Sequence, residues 1–261
     1  MTNIVVLVKQ VPDTYSERKL SDDDYTLDRE SADAVLDEIN EKAVEEALKI
    51  KEAGEGEVTV ISVGPDRATD AIRKALSMGA DKAIHVSDEA LRGSDAVATA
   101  KVLAAAVGKV EGVDLVIAGN EASDGRAGAV PAMLAELLGV PQLTQVRSLT
   151  VEGGTIKADR ETDDGLTHLE ASLPALVSVT EKINEPRYPS FKGIMAAKKK
   201  PVETLTIGDL GVDAGAVGLG NALSTVVEAA PKPPRTAGER VEDEGDGGSK
   251  IAEYLVGQKI I

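Results

Sequence analysis

Short apolar runs alternate with helix-like stretches four times in the first half of the chain, and this alternation constrains the fold most. The runs IVVLV (4–8), EVTVISVG (57–64), DKAIHVSD (81–88) and VDLVIAG (113–119) are typical of strands in a parallel sheet. The stretches that follow them carry apolar residues at helical spacing. The pattern predicts a doubly wound, mostly parallel α/β sheet with helices on both faces.

The pattern changes in the second half of the chain. Residues 142–172 contain strand-like pieces broken at Gly153-Gly154 and at Asp164-Gly165, which are hairpin signals. We therefore expect a small antiparallel β addition over this range. PALVSVTEKI (174–183) is expected to add one more inner strand.

The periodicity is lost from about Pro201, and residues 230–250 are rich in proline, glycine and acidic residues. We divide the chain into an α/β domain over 1–200 and an extended C-terminal arm over 201–261, with a short helix at its end. An arm with few core positions usually lies against something. We expect it to pack on a partner subunit, with wrapping over its own domain as the alternative.

Composition excludes several classes of function. The chain has no cysteine and only two histidines, far apart in sequence, so no metal site and no thiol chemistry are expected. The net charge of −16 disfavours nucleic acid and anionic lipid as partners. The same acidity suits a high-salt cytoplasm, which points to a halophilic organism. No apolar run approaches the length of about 18 residues that a membrane span requires, so we expect a cytoplasmic protein that does not insert into the membrane.

One loop between a strand and a helix is small, polar and rich in glycine, within AGNEASDGRAGAVPAMLAELLG (118–139). In open α/β sheets ligands bind beyond the carboxyl ends of the strands, beside such loops. We expect the helix to begin near Gly128, where free backbone amides and the helix dipole favour a phosphate. Small residues leave room for it, and Arg126 adds a positive charge. Such loops are also common without a ligand, and neither common nucleotide-binding glycine motif occurs here, so the residues alone leave nucleotide binding open.

Several motifs occur in the order found in one family, namely KQVPDT (9–14), AVEEAL (43–48), SVGP…AIRKALSMGAD (62–81), the glycine-rich loop, NEPRYPSFKGIMAAKKKP (184–201), GDLGVD (208–213) and PPRTAG (233–238). Together they resemble the β subunit of electron transfer flavoprotein. The resemblance implies a heterodimer with an α subunit that binds most of a redox FAD, while this chain holds a structural AMP. It also implies that electrons come from acyl-CoA or similar dehydrogenases and pass to a membrane quinone oxidoreductase.

The resemblance also implies which residues bind the cofactors. Those that match the AMP site are Leu7, Val63, Gly119, Asn120, Ala122, Asp124, Gly125, Arg126, Ala127, Gly128, Ala129 and Val130. Thr14 and Tyr15 match the place where the β subunit approaches the flavin. Family members often have Asn-Pro where this chain has Asp37-Glu38, and polar residues where it has 128–130. Electron-bifurcating relatives bind a second FAD in the same place, so AMP and FAD both stay open.

Residues 184–200 resemble the family's recognition loop, whose docking residues match Arg187, Tyr188, Phe191, Ile194 and Met195. A lone phenylalanine is more often a core residue, but the resemblance implies that Phe191 is an exposed anchor for a dehydrogenase. We expect Ile194 and Met195 to pack the loop down. Arg187 is expected to pair with a carboxylate at the subunit interface or near the flavin. The run of three lysines at 198–200 either steers an acidic partner or is simply solvated.

The sequence shows no catalytic set of side chains, so we expect an electron-carrier subunit without substrate turnover of its own. One alternative is a subunit of an electron-bifurcating flavoprotein, with a second FAD and NADH as donor. Another is a free-standing adenine-nucleotide sensor of similar fold, which would need no α subunit.

Overall fold

The structure, a computed structural model, describes residues 2–235, 238 and 240–261. The motif PPRTAG at 233–238 therefore lies partly outside the described residues. The chain divides into a large compact unit that ends at Val226 and a small one from Val227 to Ile261.

The strands, in chain order, are β1 (Ile4–Leu7), β2 (Gln10–Pro12), β3 (Ala34–Leu36), β4 (Val58–Val63), β5 (Lys82–Val86), β6 (Leu115–Gly119), β7 (Gln142–Glu152), β8 (Thr155–Thr162), β9 (Gly165–Ser172), β10 (Ala175–Val179) and β11 (Val202–Leu205). The α-helices are α1 (Glu38–Ala53), α2 (Thr69–Met78), α3 (Ala96–Val107), α4 (Val130–Leu138), α5 (Phe191–Ala197) and α6 (Gly247–Gly257). Within the described residues, none of these helices combines the length and apolarity needed to cross a membrane.

Nine strands form one sheet in the order β11-β5-β4-β1-β6-β10-β7-β8-β9. The pairs from β11 to β7 are parallel, and only β7-β8 and β8-β9 are antiparallel. The chain moves outward from β1 through β4 to β5, and then returns to the opposite side of β1 as β6. This reversal opens a crevice between the carboxyl ends of β1 and β6, where open α/β sheets bind their ligands.

The inner strands are buried on both faces, as the apolar runs predict. On β1, Ile4 and Val6 pack with α1 and α2, whereas Val5 and Leu7 pack with α3 and α4. The predicted α/β fold, with helices on both faces of a mostly parallel sheet, is therefore confirmed. The hairpins predicted over 142–172 are β7, β8 and β9, with a first turn at Gly153 and Gly154.

The predicted boundary near Pro201 is wrong for the described structure. The chain returns to the sheet there, because β11 pairs in parallel with β5, with Val202 beside Ala83. This strand has only four residues, and its Glu203 and Thr204 are exposed. A short, polar edge strand carries no apolar run that a sequence pattern would reveal. The C-terminal helix that we expected is α6, within the small unit.

A ribbon that the sequence pattern did not reveal follows β1. Strands β2 and β3 pair antiparallel, with Val11 beside Val35. Between them, residues 13–33 form a hairpin-like tip with an isolated bridge between Leu20 and Leu27. We call residues 13–33 the strap. The strap leaves the sheet at the carboxyl end of β1, and therefore beside the crevice.

Candidate functional site

The glycine-rich loop lies at the crevice where the fold predicts a ligand. We call residues 120–129, between the end of β6 and the start of α4, the cradle. Leu7 and Val63, two predicted nucleotide contacts, lie at the carboxyl ends of β1 and β4. Helix α4 begins at Val130, two residues after Gly128 and so near the expected position, and Pro131 occupies its first turn. Proline suits this position because its missing N–H has no partner to lose.

The cradle presents a run of free backbone amides. The N–H groups of Ala127, Gly128, Ala129 and Val130 donate to no acceptor within the described residues. Gly128 has φ of 64° and Ala129 has φ of −98°, and such alternation of left- and right-handed backbone makes a concave anion site. A Cβ on Gly128 would meet no atom within 4 Å. The backbone therefore offers several donors to an anionic group in open space.

Two buried polar atoms of the cradle lack a partner. The Oδ1 atom of Asn120 and the Oγ atom of Ser123 are buried, yet neither has a hydrogen bond within the described residues. Buried polar atoms in folded proteins are nearly always hydrogen-bonded. Two such atoms without a hydrogen bond in one loop point to a ligand that would bond to them. Asn120 Oδ1 needs a donor and the Ser123 hydroxyl can donate or accept, and the amino and hydroxyl groups of an adenylate would match both. The cradle therefore fits an adenine nucleotide.

The N-terminus of α1 contacts the cradle and holds it in place. The buried carboxylate of Asp37 accepts from Ile39 N at 3.0 Å and, through its other oxygen, from Ser123 N at 2.8 Å. Asn40 Oδ1 accepts from Lys9 N at 2.7 Å. A Cβ on Gly119 would lie 2.6 Å from Asn40 Nδ2 and 3.0 Å from Ile39 Cγ2, so a larger residue would displace the side chains that support the loop. Asp37 and Asn40 were absent from the predicted site, although an aspartate just before a helical pattern is an N-cap signal.

Asp124 has both carboxylate oxygens engaged within the chain. Lys9 Nζ lies 2.7 Å from one oxygen and Arg29 Nη2 lies 3.2 Å from the other, and only 2% of the Asp124 side chain is exposed. Burial pushes the pKa of Asp124 upward, but the ion pairs with Lys9 and Arg29 outweigh burial and hold the pKa below its ordinary value. Its contact with a nucleotide stays a prediction.

Arg126, which we expected to add a positive charge, adopts an uncommon backbone conformation for a side chain, with φ of 48°. Its guanidinium is mostly exposed and lies 3.3 Å from the carboxylate of Glu121. An exposed pair of this kind contributes little to stability, about 0–1 kcal/mol. The guanidinium therefore remains free to turn toward an anion in the cradle.

A second exposed segment, around helix α5, packs beside α2. Helix α5 is capped by Ser190, whose Oγ accepts from Gly193 N at 3.0 Å. Phe191 is 81% exposed and Tyr188 is 95% exposed. Ile194 and Met195 remain 46% and 50% exposed, so the expectation that they pack the segment down is wrong. Phe191, Ile194 and Met195 share one face of α5, because residues three and four apart lie together on a helix. We call these three residues and Tyr188 the apolar patch.

Polar contacts hold this segment in place. The guanidinium of Arg187 bonds the buried carboxylate of Glu45 at 2.7 and 3.1 Å, and it also bonds Glu52. Hydrogen bonds to Glu52 and Glu45 raise the pKa of Arg187. Arg187 was expected at a subunit interface or near the flavin, but it pairs with carboxylates of its own α1. Arg187 therefore fixes this segment to α1, whereas the exposed apolar side chains do not.

The lysine run is divided between two roles. Lys198 and Lys199 are exposed, as solvated or steering residues must be. Lys200 instead turns inward, where its Nζ donates to the carbonyl oxygens of Leu76 and Ala80 at the end of α2. Its burial lowers its pKa. Lys200 therefore ties the segment to α2 and is not a free surface charge.

Comparison with known proteins decides the family. The family model described as electron transfer flavoprotein domain matches residues 24–210, which is most of the chain. The chain belongs to the electron transfer flavoprotein family. It is 64% identical to the electron transfer flavoprotein subunit beta of Mycobacterium bovis, over the whole length of both chains. It is 42% identical to the subunit of that name from Thermoanaerobacterium thermosaccharolyticum, over 91% of each chain.

A relative of a different description has a comparable overlap. The caffeyl-CoA reductase-Etf complex subunit CarD of Acetobacterium woodii is 37% identical, over 97% of this chain and 96% of its own. The electron transfer flavoprotein match covers the cradle and the apolar patch. Leu7, Thr14 and Tyr15 lie before the matched range, within the length over which the Mycobacterium bovis relative aligns. Tyr15 is 97% exposed at the start of the strap.

Proposed function

We propose that this chain is the β subunit of a heterodimeric electron transfer flavoprotein that holds AMP, completes the FAD site of an α subunit and docks dehydrogenases. The donors are acyl-CoA or similar dehydrogenases, and the acceptor is a membrane quinone oxidoreductase. Family membership supports the class. The main observation in favour of nucleotide binding is that free backbone amides and buried polar atoms without hydrogen bonds occur together in the cradle.

In this proposal the chain's own backbone does most of the holding. The amides of 127–130 bind the phosphate, and the positive end of α4 adds to their attraction. The buried side-chain oxygens of Asn120 and Ser123 form hydrogen bonds with the sugar and the base of AMP. Leu7 and Val63 give the site an apolar wall at the strand ends. Nothing in this arrangement breaks or makes a bond, which agrees with a structural role for AMP.

The FAD, when bound, supplies the electron-carrying chemistry of the complex. This chain contributes a wall to that site through Thr14 and Tyr15, both exposed at the start of the strap. Their exposure leaves them free to face a partner. The chain therefore acts as an electron-carrier component without its own substrate turnover.

The apolar patch is the proposed docking surface for dehydrogenases. A large exposed aromatic, here Phe191, is the kind of residue that dominates binding when a partner pocket buries it. Arg187 and Lys200 hold the patch rigidly enough to limit the entropy lost on docking. Exposed Lys198 and Lys199 steer an acidic partner. Redox encounters of this kind bury little area and dissociate quickly.

We further infer a role for the small C-terminal unit. Ile251, Tyr254 and Val256 on α6 are each more than half exposed, and a short helix with so much exposed apolar surface needs a cover. We assign that cover to the α subunit. The assembly is placed in the cytoplasm, and the net charge of −16 supports adaptation to high salt.

An electron-bifurcating flavoprotein with a second FAD in the cradle is the second candidate. Similarity to a subunit of a reductase-Etf complex favours it, as does the lack of polar side chains at 128–130. The two candidates differ in flavin content, which is one FAD plus AMP for the first and two FAD for the second. NADH would reduce only the second.

Co-expression with an α subunit of the family tests the proposal. We expect a yellow heterodimer that accepts electrons from an acyl-CoA dehydrogenase. A colourless chain that is stable alone and does not co-purify with α would support the free-standing nucleotide sensor instead.

A further inference from the structure

The strap is fastened to the body of the protein at two separated points. At one end Arg29 Nη2 lies 3.2 Å from Asp124 Oδ2, on the cradle. At the other, Arg92 Nη2 lies 2.7 Å from Asp24 Oδ2, after β5. The strap therefore spans the carboxyl ends of several strands, from the cradle to the region beyond β5.

The fastening at the cradle is the more deeply buried of the two. Asp124 is 2% exposed, compared with 20% for Asp24. Lys9, two residues after β1, forms an ion pair with the other oxygen of Asp124 at 2.7 Å. A buried carboxylate that loses one cation keeps a costly uncompensated charge, so both cations favour the fastened position.

Arg29 is held in position from both sides. Its Nη1 donates to Gln10 O at 3.2 Å, and its own carbonyl oxygen accepts from Arg67 Nη1. Arg67 also donates to the backbone of Ala32, at the base of the strap. The guanidinium therefore reaches Asp124 from a fixed strap and not as a mobile surface side chain.

Asp124 also lies between the two halves of the cradle. Its neighbour Ser123 is tied to Asp37, whereas the free amides begin only three residues later, at Ala127. Because Asp124 is fixed by Lys9 and Arg29, the loop that carries the amides has a rigid origin. Freeing Asp124 would let the loop and its amides move, and it would remove the ion pair that holds Arg29 against the cradle.

We propose that the ion pair between Asp124 and Arg29, which we call the latch, fixes the loop that carries the cradle amides, so that bound AMP is released faster when the pair is broken. Asp124 then acts through the loop, as a positioning residue. The proposal rests on the proposed function, because it assumes AMP in the cradle. The latch adds to the barrier that the contacts of the cradle with AMP provide.

The test measures release of AMP from the purified α–β heterodimer after mixing with excess unlabelled AMP. We expect Asp124→Asn and Arg29→Gln each to speed release about 5- to 150-fold, the usual size of a coupling between two sites. The double variant should release AMP no faster than the faster single variant, because both changes open one contact. Arg147→Gln is the control, since Arg147 pairs with Glu161 on the hairpin strands, away from the cradle and the strap, and it should change release little.

Salt distinguishes a latch from a general loss of stability. Release from the wild-type heterodimer should accelerate with salt, because ions screen the partly exposed Arg29. Release from Arg29→Gln should be fast and nearly independent of salt. If Asp124→Asn does not fold, Arg29→Gln carries the test alone, because Arg29 is one-third exposed.

Two results would overturn the latch. One is wild-type release rates in Arg29→Gln, even if its melting temperature falls. The other is an equal acceleration in Arg147→Gln, which would make a general loss of stability the cause. A wild-type heterodimer without any bound AMP would instead overturn the proposed nucleotide function, and the latch with it.

Discussion

Asp37 and Ser123 lie 86 positions apart in the sequence, yet a hydrogen bond of 2.8 Å joins the Asp37 carboxylate to the Ser123 amide. The other oxygen of the same carboxylate caps α1. One buried side chain therefore fixes both the first helix of the fold and the loop that presents free amides to a ligand. Stability and nucleotide binding should be linked at this residue.

Asp37→Ala should lower the free energy of unfolding by about 2–4 kcal/mol, because a helix cap is lost and a buried amide loses its acceptor. It should also lower the AMP content of the heterodimer. Asp95→Ala is a matched control, since Asp95 caps α3 and also accepts from Leu223 N, away from the cradle. Denaturant unfolding and nucleotide analysis of both variants check this. Equal AMP content in the two variants would contradict the link.

Gly128→Leu should remove most of the AMP from the heterodimer. The position has φ of 64°, so a side chain costs about 1–2 kcal/mol of backbone strain, and it would also stand in the open cradle. Gly153→Leu has nearly the same φ, 57°, in a hairpin turn with equally open surroundings. The control should lose similar stability and keep its AMP. Full AMP occupancy in Gly128→Leu would mean that the nucleotide binds elsewhere.

Phe191→Ala should slow reduction of the heterodimer by an acyl-CoA dehydrogenase at least tenfold at low donor concentration, because an anchor of the docking surface is lost, about 2 kcal/mol. The flavin spectrum and the stability should change little, since the side chain is 81% exposed. Leu166→Ala, on the exposed hairpin strand β9, is the control. Stopped-flow reduction kinetics provide the measurement, and an unchanged rate would remove Phe191 from the docking surface.

The parts of the fold that sequence reasoning predicted are those with strong local signals. Strands buried on both faces leave apolar runs, and the helices that cover them leave apolar stripes, so the sheet and its helices were predictable. The turn signals of the hairpins, Gly153-Gly154 and Asp164-Gly165, were also informative. Strand β11 and the β2–β3 ribbon were missed because they are short, and β11 has a polar edge.

The candidate site was only partly predictable, for a related reason. The glycine-rich loop is continuous in sequence, so its position and small residues were visible. Its support comes from distant residues, since Asp37, Asn40 and Arg29 reach it only after folding. The resemblance placed Arg187 toward a partner. No local sequence pattern reveals that Glu45 and Glu52, about two turns apart on α1, lie within reach of its guanidinium. Non-local ion pairs of this kind leave no pattern.

Salt should stabilise the protein if its acidity is an adaptation. With a net charge of −16, self-repulsion grows as screening weakens below about 0.1 M salt, where the Debye length exceeds about 10 Å. The melting temperature should therefore fall on dilution of salt. Asp22→Asn with Asp23→Asn, two exposed changes in the strap, should weaken that dependence. A melting temperature that does not vary with salt would argue against adaptation.

The identity of the bound nucleotide tests the central claim most directly. Mass spectrometry of the small molecules released from the native α–β heterodimer would measure it. We predict one AMP and one FAD per heterodimer, with the AMP lost in Gly128→Leu. Two FAD and no AMP, or one FAD with no adenylate in the cradle, would contradict the account.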